Sequence, residues 1–514
     1  MSFFSAQFPI CLLIAVLLYY LLPKKTQWLF LLAVSLGFYA MGGWKALAYL
    51  GFTAATTYAT GLLLCALNQK AKNGEIPAKQ CTAEKRAVLI ACLILNIGLL
   101  FFVKYWNFTA ELLQKTGLPD LSFSGLFLPL GLSFYMFQSI GYTVDCYRGK
   151  QQAQRNPLKY LLFVSFFPQM IQGPISRYNQ LAPQLTAEHP FDAENLRRGI
   201  QLVLWGYLKK LLLADRAAVA ARAVFDAPDQ FGGFFCAFAV LLYCIQLYCD
   251  FSGGIDITRG VAQMFGIEMV DNFRRPIFAV SLADYWRRWH ITLGTWMRDY
   301  VFYPLAFSKP MGALSRRSRK LFGGKLGKVI PTACATFTVY LLIGIWHGAN
   351  FRYIFFGFYN GAIMTASVLL EATFVKWRKG LRADEHKRLF HAFRLLRTMA
   401  LVFVGRYFTR APRLLVAFEM LKKTLLHPCL YQLRNGALQT LGLQTVDYAV
   451  LLVGVIVLLF AEWRQERGVG LRDALAKQHA VVQWLAIALP LALLLWTLAF
   501  SGSAVDVNLI YQQF

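Results

Sequence analysis

The sequence predicts an all-α polytopic integral membrane protein, and three observations carry that reading. Of the 514 residues 57% are hydrophobic, and mean hydropathy is +0.46; soluble domains average roughly 45–50% apolar. Only 15% of the residues are charged, where soluble domains carry about 25%. The apolar residues are also gathered into runs approaching the about 20 residues that a helix needs to cross a bilayer. A soluble globular protein is excluded.

Apolar runs at 8–22, 28–44, 46–67, 87–103, 125–146, 232–250, 329–347, 353–370, 393–409, 447–463 and 481–500 predict eleven membrane helices. The first run has no basic residue before it and is followed by Pro23-Lys24-Lys25 without a small-residue cleavage site. It therefore reads as a retained span and not as a signal peptide. Segments 157–175 and 199–214 are interrupted, the first by Pro168, Gly173 and Pro174, the second by flanking Arg197-Arg198 and Lys209-Lys210. These read as re-entrant or interfacial, since non-helical backbone at membrane depth must be buried in protein or line a cavity.

Lysine and arginine outnumber the acids 53 to 26, for a formal charge of +27. In a soluble chain this would suggest a nucleic-acid partner. Here the cations sit in short stretches between apolar runs, which suits anionic headgroups and argues against nucleic acid. Stretches 23–27, 68–86, 148–159, 316–328, 371–397 and 464–480 hold 2, 5, 4, 6, 8 and 4 of them, whereas the tail 501–514 holds none. The bias places the basic loops in the cytoplasm and both termini outside an inner (cytoplasmic) membrane; 410–446, with five basic residues, is the exception. The ten cysteines include no C-x-x-C pair and read as packing residues, with no metal site expected.

Five of the seven histidines lie in polar loops. The other two are His347, in Gly344-Ile-Trp-His-Gly-Ala-Asn350, and His290, in Asp284-Tyr-Trp-Arg-Arg-Trp-His290. Ionisable residues at membrane depth are costly and mark functional sites, although an imidazole hydrogen-bonded between packed helices accounts for His347 taken alone. Gly344, Gly348 and Gly357 permit close backbone approach. Asn350 could fix a tautomer or bind an oxyanion, and imidazole suits proton abstraction from a hydroxyl.

If residues 282–299 form one helix, Leu282, Trp286, Trp289, His290, Leu293 and Met297 share a face, with Asp284, Arg287, Arg288 and Arg298 opposite. Such a helix would lie at the membrane surface, either as an anchor or with its arginines clamping a phosphate-bearing donor. Asp145, Asp250 and Asp256 fall at expected helix ends, where capping and pairing with Arg148 or Arg259 explain them. No Walker A, G-x-S-x-G, H-E-x-x-H or EF-hand pattern occurs.

Leu128–Gln138, Val144-Asp-Cys-Tyr-Arg148, Phe167–Pro174, Asp250-Phe-Ser-Gly253, Trp286-Arg-Arg-Trp-His290 and Trp346-His-Gly-Ala-Asn350 together resemble the membrane-bound O-acyltransferase (MBOAT) superfamily. Within it they resemble the bacterial branch that acetylates alginate or D-alanylates teichoic acid. The resemblance implies a core over 1–410 holding both histidines, and an extension over 411–514 with two further membrane helices. It also implies a ring of helices around a funnel, with His347 and His290 as the catalytic pair. Arg287, Arg288, Trp289, Trp346 and Asn350 would bind the donor or stabilise the oxyanion.

The expected activity is transfer of an acyl group, most simply acetyl, from a cytoplasmic thioester to a hydroxyl of an extracytoplasmic glycan. The donor would be acetyl-CoA or an acyl carrier protein, with no tightly bound cofactor and a separate extracytoplasmic esterase-fold partner. Two alternatives stand beside it: D-alanyl transfer to lipoteichoic acid, and a lipid or polysaccharide transporter, which also needs polar groups at the membrane midplane. The motif Phe358-Tyr-Asn360-Gly361 departs from the alginate type, where histidine is common in place of Asn360.

Overall fold

Helices follow from the apolar runs because backbone groups in hydrocarbon must be satisfied internally. A computed structural model describes residues 7–380 and 386–500, and among these no strand forms beyond one isolated bridge, Phe273 with Trp289. Part of the basic stretch 371–397 and the whole tail 501–514, with its closing Ile510–Phe514, lie outside the described residues. The described chain divides into two compact units, residues 7–206 with 254–270, and residues 207–253 with 271–500.

The first unit contains α1 (Gln7–Leu21), α2 (Gln27–Ala40), α3 (Trp44–Lys72), α4 (Ala78–Gln114), α5 (Leu132–Tyr147), α6 (Pro157–Ser165), α7 (Phe167–Gln172), α8 (Tyr178–Leu185) and α9 (Ala193–Tyr207). The expected interruption near 157–175 is the break between α6 and α7 at Phe166. Buried side chains serve its backbone: Ser35 Oγ accepts from Phe167 N at 3.1 Å, and the Gln138 and Gln169 amides both donate to Phe163 O at 3.0 and 2.9 Å. The break is thus tolerated at depth because protein groups replace the missing helical bonds.

The second unit contains α10 (Asp215–Asp226), most of α11 (Gly233–Met264), α12 (Leu282–Arg288), α13 (Ile291–Met297), α14 (Tyr303–Ala306), α15 (Lys309–His347), α16 (Phe351–Leu369), α17 (Glu371–Gly380), α18 (Lys387–Arg410), α19 (Leu414–Leu426), α20 (Thr445–Glu466), α21 (Leu471–Ala476) and α22 (Ala480–Phe500). The basic stretch 316–328 is largely helical, with a sharp bend at Gly323, whose φ of 77° favours glycine.

All eleven expected apolar runs overlap a helix. By length and apolarity, however, six helices among the described residues can cross a membrane, or seven if the bent pair α16 and α17 is one span. The count of eleven is not obtained, because α1, α2 and α5 have only 15, 14 and 16 residues, and α18 mixes charge into its run.

Two further expectations are corrected. The stretch 282–299 is not one amphipathic helix: α12 stops at Arg288, Trp289 is extended, and His290 takes a left-handed φ of 47° before α13 begins. Nor is Asp250 at a helix end. It lies within α11, is 1% exposed, and pairs with Lys210 at 2.7 Å. Lys210 also meets Asp215 at 2.8 Å, while neighbouring Lys209 donates to Ser252 Oγ at 2.9 Å. These lysines, read in the sequence as a polar flank, are buried in a π-helical stretch, Leu208–Ala214. The π turn points adjacent lysines inward, where Asp215 and Asp250 offset their desolvation.

Candidate active site

His347 is positioned by small residues. It ends α15, and α16 returns alongside because glycines face each other across the pair. A Cβ on Gly344 would lie 2.5 Å from Tyr353 O and 2.6 Å from Gly357 Cα; one on Gly348 would lie 2.7 Å from the Tyr353 ring. No side chain larger than hydrogen fits these places without moving backbone or ring.

His290 is positioned by polar groups. The backbone on either side of it is tied to segment 272–274: Ile291 N donates to Asn272 O at 3.0 Å, and Arg274 N to Arg288 O at 2.9 Å. The Asn272 Oδ1 atom accepts from Thr292 N at 3.0 Å and from Thr292 Oγ at 2.9 Å, and stands 3.3 Å from His290 Nδ1. A backbone N–H can only donate, so the atom facing it is the amide oxygen. An oxygen opposite Nδ1 requires the proton there, which leaves Nε2 of the neutral ring as the acceptor. Burial, and secondarily the nearby His347 imidazole, hold the His290 pKa well below the usual histidine value and so keep the ring neutral.

The two histidines line one cavity of about 250 Å³, together with Trp286, Trp289, Tyr340, Ile343 and Arg298. The Trp346 ring neighbours both, 6.1 Å from His290 and 5.0 Å from His347, centre to centre. Phe251 packs edge-on to His290 at 4.8 Å.

Other residues singled out in the sequence have different surroundings. Asn350 caps α16, its Oδ1 accepting from Arg352 N at 3.1 Å, and is not among the cavity lining. Arg288 is engaged by carboxylates, Glu466 at 2.9 Å and Asp284 at 3.2 Å. Arg287 has a 71% exposed side chain 3.4 Å from Asp284. The arginine at the cavity is instead Arg298.

Sequence reasoning passed over Asn272, which has no signature beyond its place before Phe273-Arg274-Arg275-Pro276. It also gave no role to the Trp286 indole, whose buried N–H has no hydrogen-bond partner among the described residues and which lines the cavity. No three His, Cys, Asp or Glu side chains converge as a metal site among those residues.

A model of the membrane-bound O-acyltransferase family matches residues 151–376, a range that holds both histidines. A probable alginate O-acetylase of Azotobacter vinelandii is 31% identical over 461 residues, covering 87% of this chain and 82% of the relative. The chain belongs to the membrane-bound O-acyltransferase family. It is similar also to a peptidoglycan O-acetyltransferase of Helicobacter pylori, 32% identical with 67% of this chain and 64% of the relative covered. A teichoic acid D-alanyltransferase of Bacillus subtilis is 27% identical, with 57% and 70% covered. As an O-acyltransferase of this family, the protein is a multi-pass membrane enzyme.

Proposed function

We propose that this O-acyltransferase moves an acetyl group from a cytoplasmic thioester, acetyl-CoA or an acyl carrier protein, to a hydroxyl of an extracytoplasmic polysaccharide. The single observation that carries this reading is the meeting of His290 and His347 at one small cavity. The 250 Å³ volume suits a short acyl group better than a long chain.

His347 takes the proton of the attacking hydroxyl. The new C–O bond forms at the thioester carbonyl, the C–S bond breaks, and the proton passes to the departing thiolate. If His347 attacks first, the acyl group rests on its imidazole and the same atoms balance over two steps. His290 Nε2, an acceptor, orients the donor by accepting from an amide N–H of its pantetheine arm. The Trp286 indole N–H is the donor available to the developing oxyanion, and Arg298, whose Nε is 2.9 Å from Asp299, is the cation at the cavity that meets a donor phosphate with its remaining N–H groups. Asn350, Arg287 and Arg288 then act through the scaffold: the first as the cap of α16, the last two at Asp284 and Glu466.

The protein lies in the inner membrane with its N-terminus outside, as the distribution of basic residues supports. A separate extracytoplasmic esterase-fold partner completes delivery to the polymer. The acetyl reading is favoured over D-alanyl transfer because the O-acetylating relatives match more of the chain at higher identity.

The test is transfer in proteoliposomes with radiolabelled acetyl-CoA inside and glycan acceptor outside. Wild type is expected to move label across, and His347→Ala to lose about three orders of magnitude in rate. Equal rates in the two proteins would refute the assignment of His347. Use of a D-alanyl carrier protein in place of acetyl-CoA would transfer the activity to teichoic acid. Label transport without ester formation would establish a transporter.

A further inference from the structure

A second and larger cavity, about 580 Å³, lies within the second unit among α11, α18 and α20, with Pro276, Ile277, Tyr285 and Trp289 on one wall. On α20 its lining runs from Tyr448 to Glu462, about 21 Å at the helical rise of about 1.5 Å per residue. Between those ends α20 contributes only leucines and Val455. The cavity reaches the surface, since Leu241 on its rim is 49% exposed and Leu452 is 64% exposed. Both stand on helices long and apolar enough to span the bilayer, so the opening faces hydrocarbon.

One cation is built into the wall. Arg406 is 5% exposed, donates to Tyr285 Oη at 2.6 Å, and stacks its guanidinium 4.9 Å from the Trp289 ring. No carboxylate among the described residues forms an ion pair with it. It sits one turn from the end of α18, where the helix ends at Arg410. Glu462, the last α20 residue of the lining, already accepts from the Tyr248 hydroxyl.

Along the leucine and valine wall water finds few partners, because a buried water needs about two to four polar ones, and an empty void forfeits contacts on every wall. Hydrocarbon from the bilayer would restore those contacts. An unpaired guanidinium at this depth is costly, and an oxygen anion would offset the cost. We propose that the cavity binds an anionic phospholipid of the surrounding bilayer, with an acyl chain along the Tyr448–Glu462 face of α20 and a phosphate oxygen on Arg406. Trp289 lines this cavity and the histidine cavity alike, so the bound lipid stands one indole away from His290. The proposal is independent of which acyl group the enzyme transfers.

The test uses the full chain in nanodiscs containing phosphatidylglycerol with a photoreactive group on its acyl chain, compared with phosphatidylcholine carrying the same group. Crosslinks are mapped by peptide mass spectrometry. Phosphatidylglycerol is expected to label peptides 238–249 and 448–462 in preference to phosphatidylcholine. Val455→Trp and Val402→Phe, which fill the cavity and keep the Arg406 guanidinium, should each lower that labelling about tenfold, while labelling of the lipid-facing α4 peptide stays constant. Arg406→Gln should erase the preference between headgroups while the acyl-chain label remains. Equal labelling by the two lipids, or labelling of the filled variants at the wild-type level, would overturn the proposal. So would competition by free fatty acid but not by unlabelled phosphatidylglycerol.

Discussion

His290 and His347 reach the same cavity by different physical routes. His290 stands in a break between α12 and α13, its left-handed backbone held by hydrogen bonds to Asn272 and the residues beside it. His347 ends α15, and close packing of Gly344 and Gly357 against neighbouring backbone and of Gly348 against the Tyr353 ring sets its place. A polar anchor fixes ring orientation and tautomer as well as position, because its bonds are directional. A steric anchor fixes only position, but tolerates no added atom. The two regions should therefore fail in different ways.

The largest effect is expected from the steric side. Gly344→Val should part α15 from α16, costing about 3 kcal/mol of stability, and should abolish transfer together with the native melting transition in detergent. Activity retained at the wild-type melting temperature would show that the glycine contact does not hold His347.

A smaller and more selective loss is expected from the polar side. Asn272→Leu removes the acceptor facing Nδ1 and leaves Thr292 N without its partner. The expected destabilisation is about 1–3 kcal/mol, with kcat lowered more than the KM for the donor because the Nε2 acceptor role is lost. Asn272→Asp keeps an oxygen toward both donors and should recover much of kcat, an outcome that a purely structural role would not give. If Asp and Leu variants behave alike, the tautomer assignment fails.

The smallest effect concerns pH. The native His290 pKa lies well below its ordinary value, so below about pH 6.5 the unfolded chain takes up a proton that the folded chain refuses. Stability should fall as pH drops below that value, by at most about 1.4 kcal/mol per pH unit for this group, and remain flat with respect to it above. Thermal unfolding between pH 7 and 5, comparing wild type with His290→Gln, reads the difference. The variant should lose part of the acid slope; an identical slope would show that His290 titrates normally in the folded protein.

Much of this was legible along the chain. Hydropathy marked every run that becomes one of the long helices, because satisfying backbone polar groups in hydrocarbon leaves helix as the only open choice for an isolated segment. The tryptophan-flanked histidines and the glycines around His347 also stood out, since buried imidazole and repeated glycine are rare enough to be seen singly. The crossing count was less legible, because composition does not say whether a run of about 15 residues lies across a membrane or is buried in protein.

What the tertiary structure decided was which polar groups meet. The spacing at 282–299 fits a helix, but the bonds from Asn272 and the bridge between Phe273 and Trp289 outweigh local propensity and break it at His290. The arginines of the same segment divide by partner: Glu466, 178 residues away in sequence, engages Arg288, while Arg298 pairs with its chain neighbour Asp299 and lines the cavity. Lys210 and Asp250 find each other across 40 residues as a buried pair. The sequence by itself determined where hydrocarbon must be met and by what backbone form, because that is a local property of each run. The assignment of each charge and hydrogen-bond donor to its partner was decided only by folding, because those interactions depend on distances of a few ångströms between residues remote in the chain.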